Sequence, residues 1–257
     1  MRIEQIISAI EEYAPLSLQE DFDNSGLQVG DVSRKLQGIL LCLDVTPEVL
    51  DEAMELDCNL IISHHPLLFR PLRTLTGKTY IERCVIKACK NDLVVYAAHT
   101  NLDNAWGGVN FYLAEKIGLQ NIRFLKPGII GGSGAIGELV APEDEESFLE
   151  RIYDIFQLKS LKHSPLTGKT IRDVALCGGS GAFLIPDAIA AGADVFLTGE
   201  ARYNDYYDVE DRILLAVLGH YETEHYTKEL FFDIISKKIP NFAAHFSNVN
   251  TNPINYL

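Results

Sequence analysis

Short, almost wholly apolar runs alternate with helix-patterned segments through most of this chain, and that alternation limits its fold more than any other feature. Residues 38–43 (GILLCL), 59–63 (NLIIS) and 93–98 (LVVYAA) are such runs. They are too short for buried helices, and they lack the polar alternation of a strand with one wet face. Between them, residues 47–56, with Pro47 in the first turn, and Tyr80–Lys90 have helical spacing. Val109–Ile117 has it too and is stopped by Gly118. The N-terminal segment, with Ile3, Ile6, Ile7 and Ile10 on one side and Pro15 after it, is an amphipathic helix. The pattern predicts βαβ units around a largely parallel sheet buried on both faces, an α/β fold.

Residues 121–133 carry Pro127, Gly128, Gly131 and Gly132 and read as a loose segment between two lobes. Beyond it, strands are expected at 133–140, 174–177, 194–198 and 213–218, an acidic helix at 143–156 and a last long helix at 223–237. The expected division is 1–125 for the first lobe and 126–219 for the second. Residues 220–257 should pack back toward the first, and no inserted third domain is expected. An internal repeat supports two similar lobes. The same 135 positions separate Cys42 from Cys177 and Ser63 from Thr198, so one strand–helix–strand unit echoes another. A second echo, at 121 positions, pairs His99 with His220 and Asp103 with Glu224.

Composition narrows the chemistry. The formal charge of −14 leaves few cations to displace counterions from a phosphate backbone, so nucleic acid is not the expected partner. The five cysteines, an odd number without any C-x-x-C pair, argue against a disulfide framework and for buried thiols in a reducing, cytoplasmic setting. No signal peptide is expected, and no apolar stretch approaches the roughly 18 residues a bilayer span needs.

The residues suited to chemistry lie just after predicted strands, where ligands gather in open parallel sheets. His64 and His65 follow NLIIS, His99 and Asp103 follow LVVYAA in AHTNLDN, and His220 and Glu224 follow ILLAVLG. Each group has a plainer reading alone: a packed histidine pair, an Asx turn at Asp103, a glutamate favoured by a helix dipole. Together, three strand ends supply histidines and two add carboxylates, a set costly to bury without partners and satisfied by divalent cations. Neighbouring residues of extended chain face opposite ways, so His64 and His65 are expected to serve two different ions. Glu222 and His225 read as a solvated helix face. His99 is a candidate proton shuttle or a support for the ligands. Other motifs fail on spacing or context. Gly132, Gly134 and Gly137 spell G-x-G-x-x-G before a strand, and neither Gly-Lys-Thr triplet has the earlier glycine of a phosphate-binding loop. The turn Gly178-Gly179-Ser180-Gly181 reads as a plain tight turn.

In order, DFDNSGLQVG, ISHHPLLF, AAHTNLDN with GGVN after it, GADVFLTGE and GHYETE span nearly the whole chain. With these motifs the chain resembles the Nif-three-like, YbgI-type family, also called GTP cyclohydrolase I type two homologues or dinuclear metal-centre proteins. The resemblance implies two α/β lobes with a dinuclear metal cleft between them, and a toroidal hexamer. It also implies two divalent ions held on His64, His65, Asp103, His220 and Glu224. Phe22 stands where the family usually has tryptophan. The mixed nitrogen and oxygen set suits Zn, Fe, Mn or Ni. Three functions remain open: a metal-dependent hydrolase of GTP-cyclohydrolase type or acting on a related nucleotide or phosphoester; a non-catalytic metal carrier, buffer or insertion factor; and an assembly protein with structural metals.

Overall fold

The computed structural model describes residues 1–240, 242 and 244–257. In chain order the first elements are α1 (Ile3–Tyr13), β1 (Gly26–Val29), β2 (Ile39–Cys42), α2 (Pro47–Glu55) and β3 (Leu60–Ser63). Next come α3 (Tyr80–Lys90), β4 (Val94–Ala97), α4 (Thr100–Asp103), α5 (Val109–Ile117), β5 (Gln120–Pro127) and β6 (Gly132–Asp144). Then follow α6 (Glu145–Ile155), β7 (Lys162–His163), β8 (Thr170–Cys177), α7 (Ile185–Ala190) and β9 (Val195–Thr198). The last are α8 (Asp205–Asp208), β10 (Leu214–Val217), α9 (His220–Glu224), α10 (Thr227–Lys238) and β11 (Ala244–Phe246).

The chain forms two units. One comprises Met1–Leu102 with His225–Pro253, the other Asp103–Glu224 with Ile254–Leu257. The sequence reading placed the division near residue 125. It lies earlier because residues 121–133 are not a loose link. Their first part is β5, which pairs antiparallel with β6 and so belongs to the second sheet. The return to the first unit comes at His225, where α9 ends and α10 follows, so the single helix expected over 223–237 is two.

In the first unit the sheet order is β1-β4-β3-β2-β11. Strands β2, β3 and β4 run parallel, β11 joins parallel to β2, and β1 is antiparallel to β4. All residues of β2, β3 and β4 are buried, which explains why their sequences are unbroken apolar runs. The Thr46 side chain accepts from Val49 N and starts α2, and Thr79 does the same for α3 through Glu82 N. Val49, Leu50, Ala53, Cys84 and Ala88 of these helices pack with Leu40, Cys42, Ile61 and Val95 in one core.

In the second unit the order is β5-β6-β8-β9-β10-β7. Here β8, β9 and β10 are parallel, and β5, β6 and β7 join antiparallel. The Asp144 side chain caps α6 by accepting from Ser147 N. The repeat seen in the sequence extends to register: Cys42 pairs with Ser63 in one sheet, and Cys177 with Thr198 in the other. The third parallel strand continues the correspondence, with Ala97 beside Ser63 and Val217 beside Thr198. The two units are similar α/β lobes. Cys42, Cys58 and Cys84 are buried, Cys177 is half-buried and Cys89 is exposed, and among the described residues none is in a disulfide. No helix of the described residues is long and apolar enough to cross a membrane.

The loop after β4 is fixed by a fully buried amide. Asn101 Nδ2 donates to Ala14 O at 2.7 Å, and its Oδ1 accepts from His99 N at 3.0 Å. Truncation would strand the buried Ala14 carbonyl and leave the His99 N–H only its longer bond to Ser25 Oγ, at about 1–3 kcal/mol for the lost partners. Asn101→Ala is therefore expected to lower unfolding free energy by about 2–4 kcal/mol in urea titration, whereas substitution of exposed Asn91 should change it by less than about 0.5 kcal/mol.

Candidate metal centre

In the first unit, three histidines meet at the carboxyl ends of β3 and β4. The ring centroids of His64 and His65 are 5.2 Å apart, those of His64 and His99 5.2 Å, and those of His65 and His99 5.5 Å. Each offers a ring nitrogen within 4.8 Å of the other two. His64 and His65 follow the last residue of β3 in a bend, not in extended chain, so strict alternation of faces does not govern them. Their anchors nevertheless lie on opposite sides of the strand. His64 Nδ1 donates to Ala98 O, beyond β4, at 2.9 Å, and His65 Nδ1 meets Asp44 Oδ1, beyond β2, at 2.7 Å.

A carbonyl oxygen or ionised carboxylate can only accept, so each of these contacts places the imidazole proton on Nδ1. That leaves the Nε2 lone pair for a cation. His99 follows the same rule, with Nδ1 on Asp23 Oδ1 at 2.8 Å. Burial would raise the Asp23 carboxyl, but the hydrogen bond and charge of His99, with bonds from Thr100 and the Asn24 N–H, hold it well below the usual carboxylate range. Ser25 Oγ also donates to Asp23. The DFDNSG motif is thus a cradle that keeps one carboxylate ionised under His99.

In the second unit, α9 sets the H-x-x-x-E pair on one face. His220 Nε2 lies 2.9 Å from Glu224 Oε2, and His220 Nδ1 lies 2.9 Å from Glu200 Oε1. Without a cation, both ring nitrogens must carry protons to satisfy two carboxylates. With one, Nε2 and Glu224 become a nitrogen and an oxygen donor side by side. Burial would raise the Glu200 carboxyl, but the Ser180 hydroxyl and the charge and hydrogen bond of His220 hold it lower. The Cys177 thiol is pushed up by burial and by the negative charges of Asp103 and Glu224. This unit therefore concentrates carboxylate charge where a cation would be favoured.

The sequence reading missed several supporting residues. Asp44 and Asp23 fix His65 and His99, and neither carries a motif of its own. Glu200 was legible, because the 135-position repeat sets it against His65. Glu222, read as solvated, is buried, and Tyr256 OH donates to it at 3.4 Å. The Gly178–Gly181 turn also has a function. A Cβ on Gly179, whose φ is +57°, would stand 2.1 Å from Glu224 Oε1. Any other residue there would adopt a strained backbone and force the Glu224 carboxylate to shift. His225 is half-buried, with its ring 3.8 Å from that of Tyr226.

These lobes and donor sets define an α/β protein with a candidate metal-binding His/Glu cluster. The Duf34/NIF3 (NGG1p interacting factor 3) family matches residues 1–253, and the chain belongs to that family. It is 37% identical over 228 residues to a GTP cyclohydrolase 1 type 2 homolog of Clostridium perfringens, covering 87% of each chain. A protein of the same description from Clostridium acetobutylicum is 33% identical, across 98% of this chain and 94% of its own. Among solved structures, Staphylococcus aureus hypothetical protein SA1388 superposes with a TM-score of 0.92 at 28% identity, covering 100% of this chain and 99% of its own.

The Gly179 contact yields a test. Gly179→Ala combines left-handed backbone with a clash against a buried carboxylate and should destabilise by about 2–4 kcal/mol. At Gly178 the nearest atom to an added Cβ is a leucine methyl at 3.3 Å, which can yield. Urea midpoints should therefore fall much further for Gly179→Ala than for Gly178→Ala.

Proposed function

We propose that this chain holds two divalent transition-metal ions on His64, His65, Asp103, His220 and Glu224, and works as a metal-dependent hydrolase. Its substrate would be of the GTP-cyclohydrolase type or a related nucleotide or phosphoester. The observation that carries this reading is the shared anchoring of four imidazoles. Each has Nδ1 on an oxygen acceptor, namely Ala98 O, Asp44, Asp23 or Glu200. That arrangement fixes ring orientation and raises the basicity of Nε2, the usual support for histidines that ligate metals. Names of the relatives point the same way on substrate class.

The donor set contains imidazole and carboxylate and no thiolate, which suits Zn, Fe, Mn or Ni better than Ca. Bound there, two such ions would supply Lewis acidity and an activated water. The chain's own residues do the rest. Glu224 would be a carboxylate donor to the ions, with two oxygens to offer. Asp44 and Glu200 orient His65 and His220. His99, held by Asp23, would take or return a proton or support the ligands. Family resemblance further supports a homohexamer working in the cytoplasm, and light scattering should give about six times the chain mass of 28.6 kDa.

Elemental analysis of variants tests the ligand set. Glu224→Ala should retain less than roughly half the metal of the wild type, while His99→Ala should keep most of it. Asp44→Asn, which removes an anchor and no ligand, should weaken metal affinity by about 10–100-fold. A screen of metal-loaded protein against nucleotides and phosphoesters should find turnover that Glu224→Ala abolishes. Metal transfer to an apo-acceptor without turnover on any of them would replace the hydrolase with a carrier.

A further inference from the structure

The second unit holds a cavity of about 750 Å³ whose lining residues all belong to that unit. Its size falls in the range of small-molecule sites, roughly 300–1,000 Å³. His220 and Glu200 line it, so it opens on the imidazole that the proposed function uses. Three further lining residues have no part in the ligand set: Lys162, Arg202 and Phe183.

The charges in this cavity divide unequally. Its two carboxylates are already engaged. Glu200 accepts from Ser180 and His220, and Asp205 Oδ2 accepts from Arg202 N at 2.6 Å. The two cations are not engaged: among the described residues neither the Lys162 ammonium nor the Arg202 guanidinium makes a hydrogen bond or ion pair. Arg34 pairs with Asp92, Arg151 with Glu143 and Arg172 with Glu138, whereas Arg202, like Arg70 and Arg73, has no side-chain partner among the described residues. In a chain of formal charge −14, this cavity's lining balances two carboxylates with two cations, and the cations are the pair left unpartnered. A guanidinium there offers a planar fork suited to phosphate or carboxylate. Phe183, in the same lining, is 61% exposed, an aromatic face that an apolar ring could cover.

We infer that this cavity binds the substrate as an oxyanion-bearing aromatic molecule, with Arg202 and Lys162 holding the phosphate or carboxylate and Phe183 stacking on the ring. The inference rests on the proposed function only for the end of the molecule that would react, the end toward His220. Binding itself needs no metal.

Isothermal titration of the full chain with GMP, orotate, guanosine and inorganic phosphate tests it, before and after chelator treatment. GMP carries the phosphate, orotate a carboxylate on a ring, and guanosine the ring without either. At least one of GMP and orotate should bind at least about tenfold more tightly than guanosine, and the preference should survive chelation. Preference for GMP alone identifies phosphate as the group, and for orotate alone carboxylate. Arg202→Gln should weaken the preferred ligand by about 10–100-fold and leave guanosine unchanged, with Arg202→Lys recovering part of the loss. Lys162→Gln should act in the same direction. Phe183→Ala should weaken GMP and guanosine alike and spare inorganic phosphate. Metal content should match the wild type in all four variants. If the wild type binds no metal but Arg202-dependent discrimination persists, the metal reading fails and this one stands. If metal binds but guanosine equals both anionic ligands, or Arg202→Gln binds as the wild type does, this inference is overturned. Failure of both GMP and orotate to bind at millimolar concentration overturns it as well.

Discussion

The in-register parallel pairing of three strands in each unit is the constraint on which the candidate site depends. With Cys42, Ser63 and Ala97 level in one sheet, and Cys177, Thr198 and Val217 level in the other, the strands end together. Residues just beyond those ends are therefore brought into reach of one another. That is how Asp44, after β2, and Ala98, after β4, come to hold His65 and His64, which follow β3. The same logic in the second sheet sets Glu200, after β9, against His220, after β10. A one-residue slip of β3 would move both histidines off these acceptors, so the buried apolar runs that fix register also fix the chemistry.

Much of this was readable from the chain alone because the parallel strands are buried on both faces and so have unmistakable sequences. ILLC, LIIS and VVYA admit little else, and the repeat between Cys42–Ser63 and Cys177–Thr198 followed from counting. Edge strands carry no such signal. Only Leu125 of β5 is buried, and with Pro127 and the following glycines the segment looks like a loop until its antiparallel partner is known. Glu222 was misread for a related reason. Its local pattern is that of a wet helix face, but Tyr256, distant in sequence, lies over it. The supporting carboxylates Asp44 and Asp23 were silent because their importance lies in what they touch, not in any spacing.

Electrostatics sort the molecule into two kinds of place. The chain as a whole is acidic, and burial first, then the charges of Asp103 and Glu224, push the Cys177 thiol up. That region favours a cation and repels an anion. A substrate with a negative group would need a cation to receive it, and Lys162 and Arg202 line the cavity of the second unit. Glycine at position 179 belongs to the same arrangement, since a Cβ there would displace the Glu224 carboxylate from its present position.

On the proposed function, these histidines and carboxylates are metal ligands and not a hydrogen-bonded polar cluster. Elemental analysis of wild-type protein, purified without chelator or affinity metal and then titrated with Zn, Fe, Mn and Ni, tests it most directly. About two transition-metal ions per chain are expected, bound tightly enough to survive gel filtration. Protein that carries none as purified and takes up none on addition would contradict it.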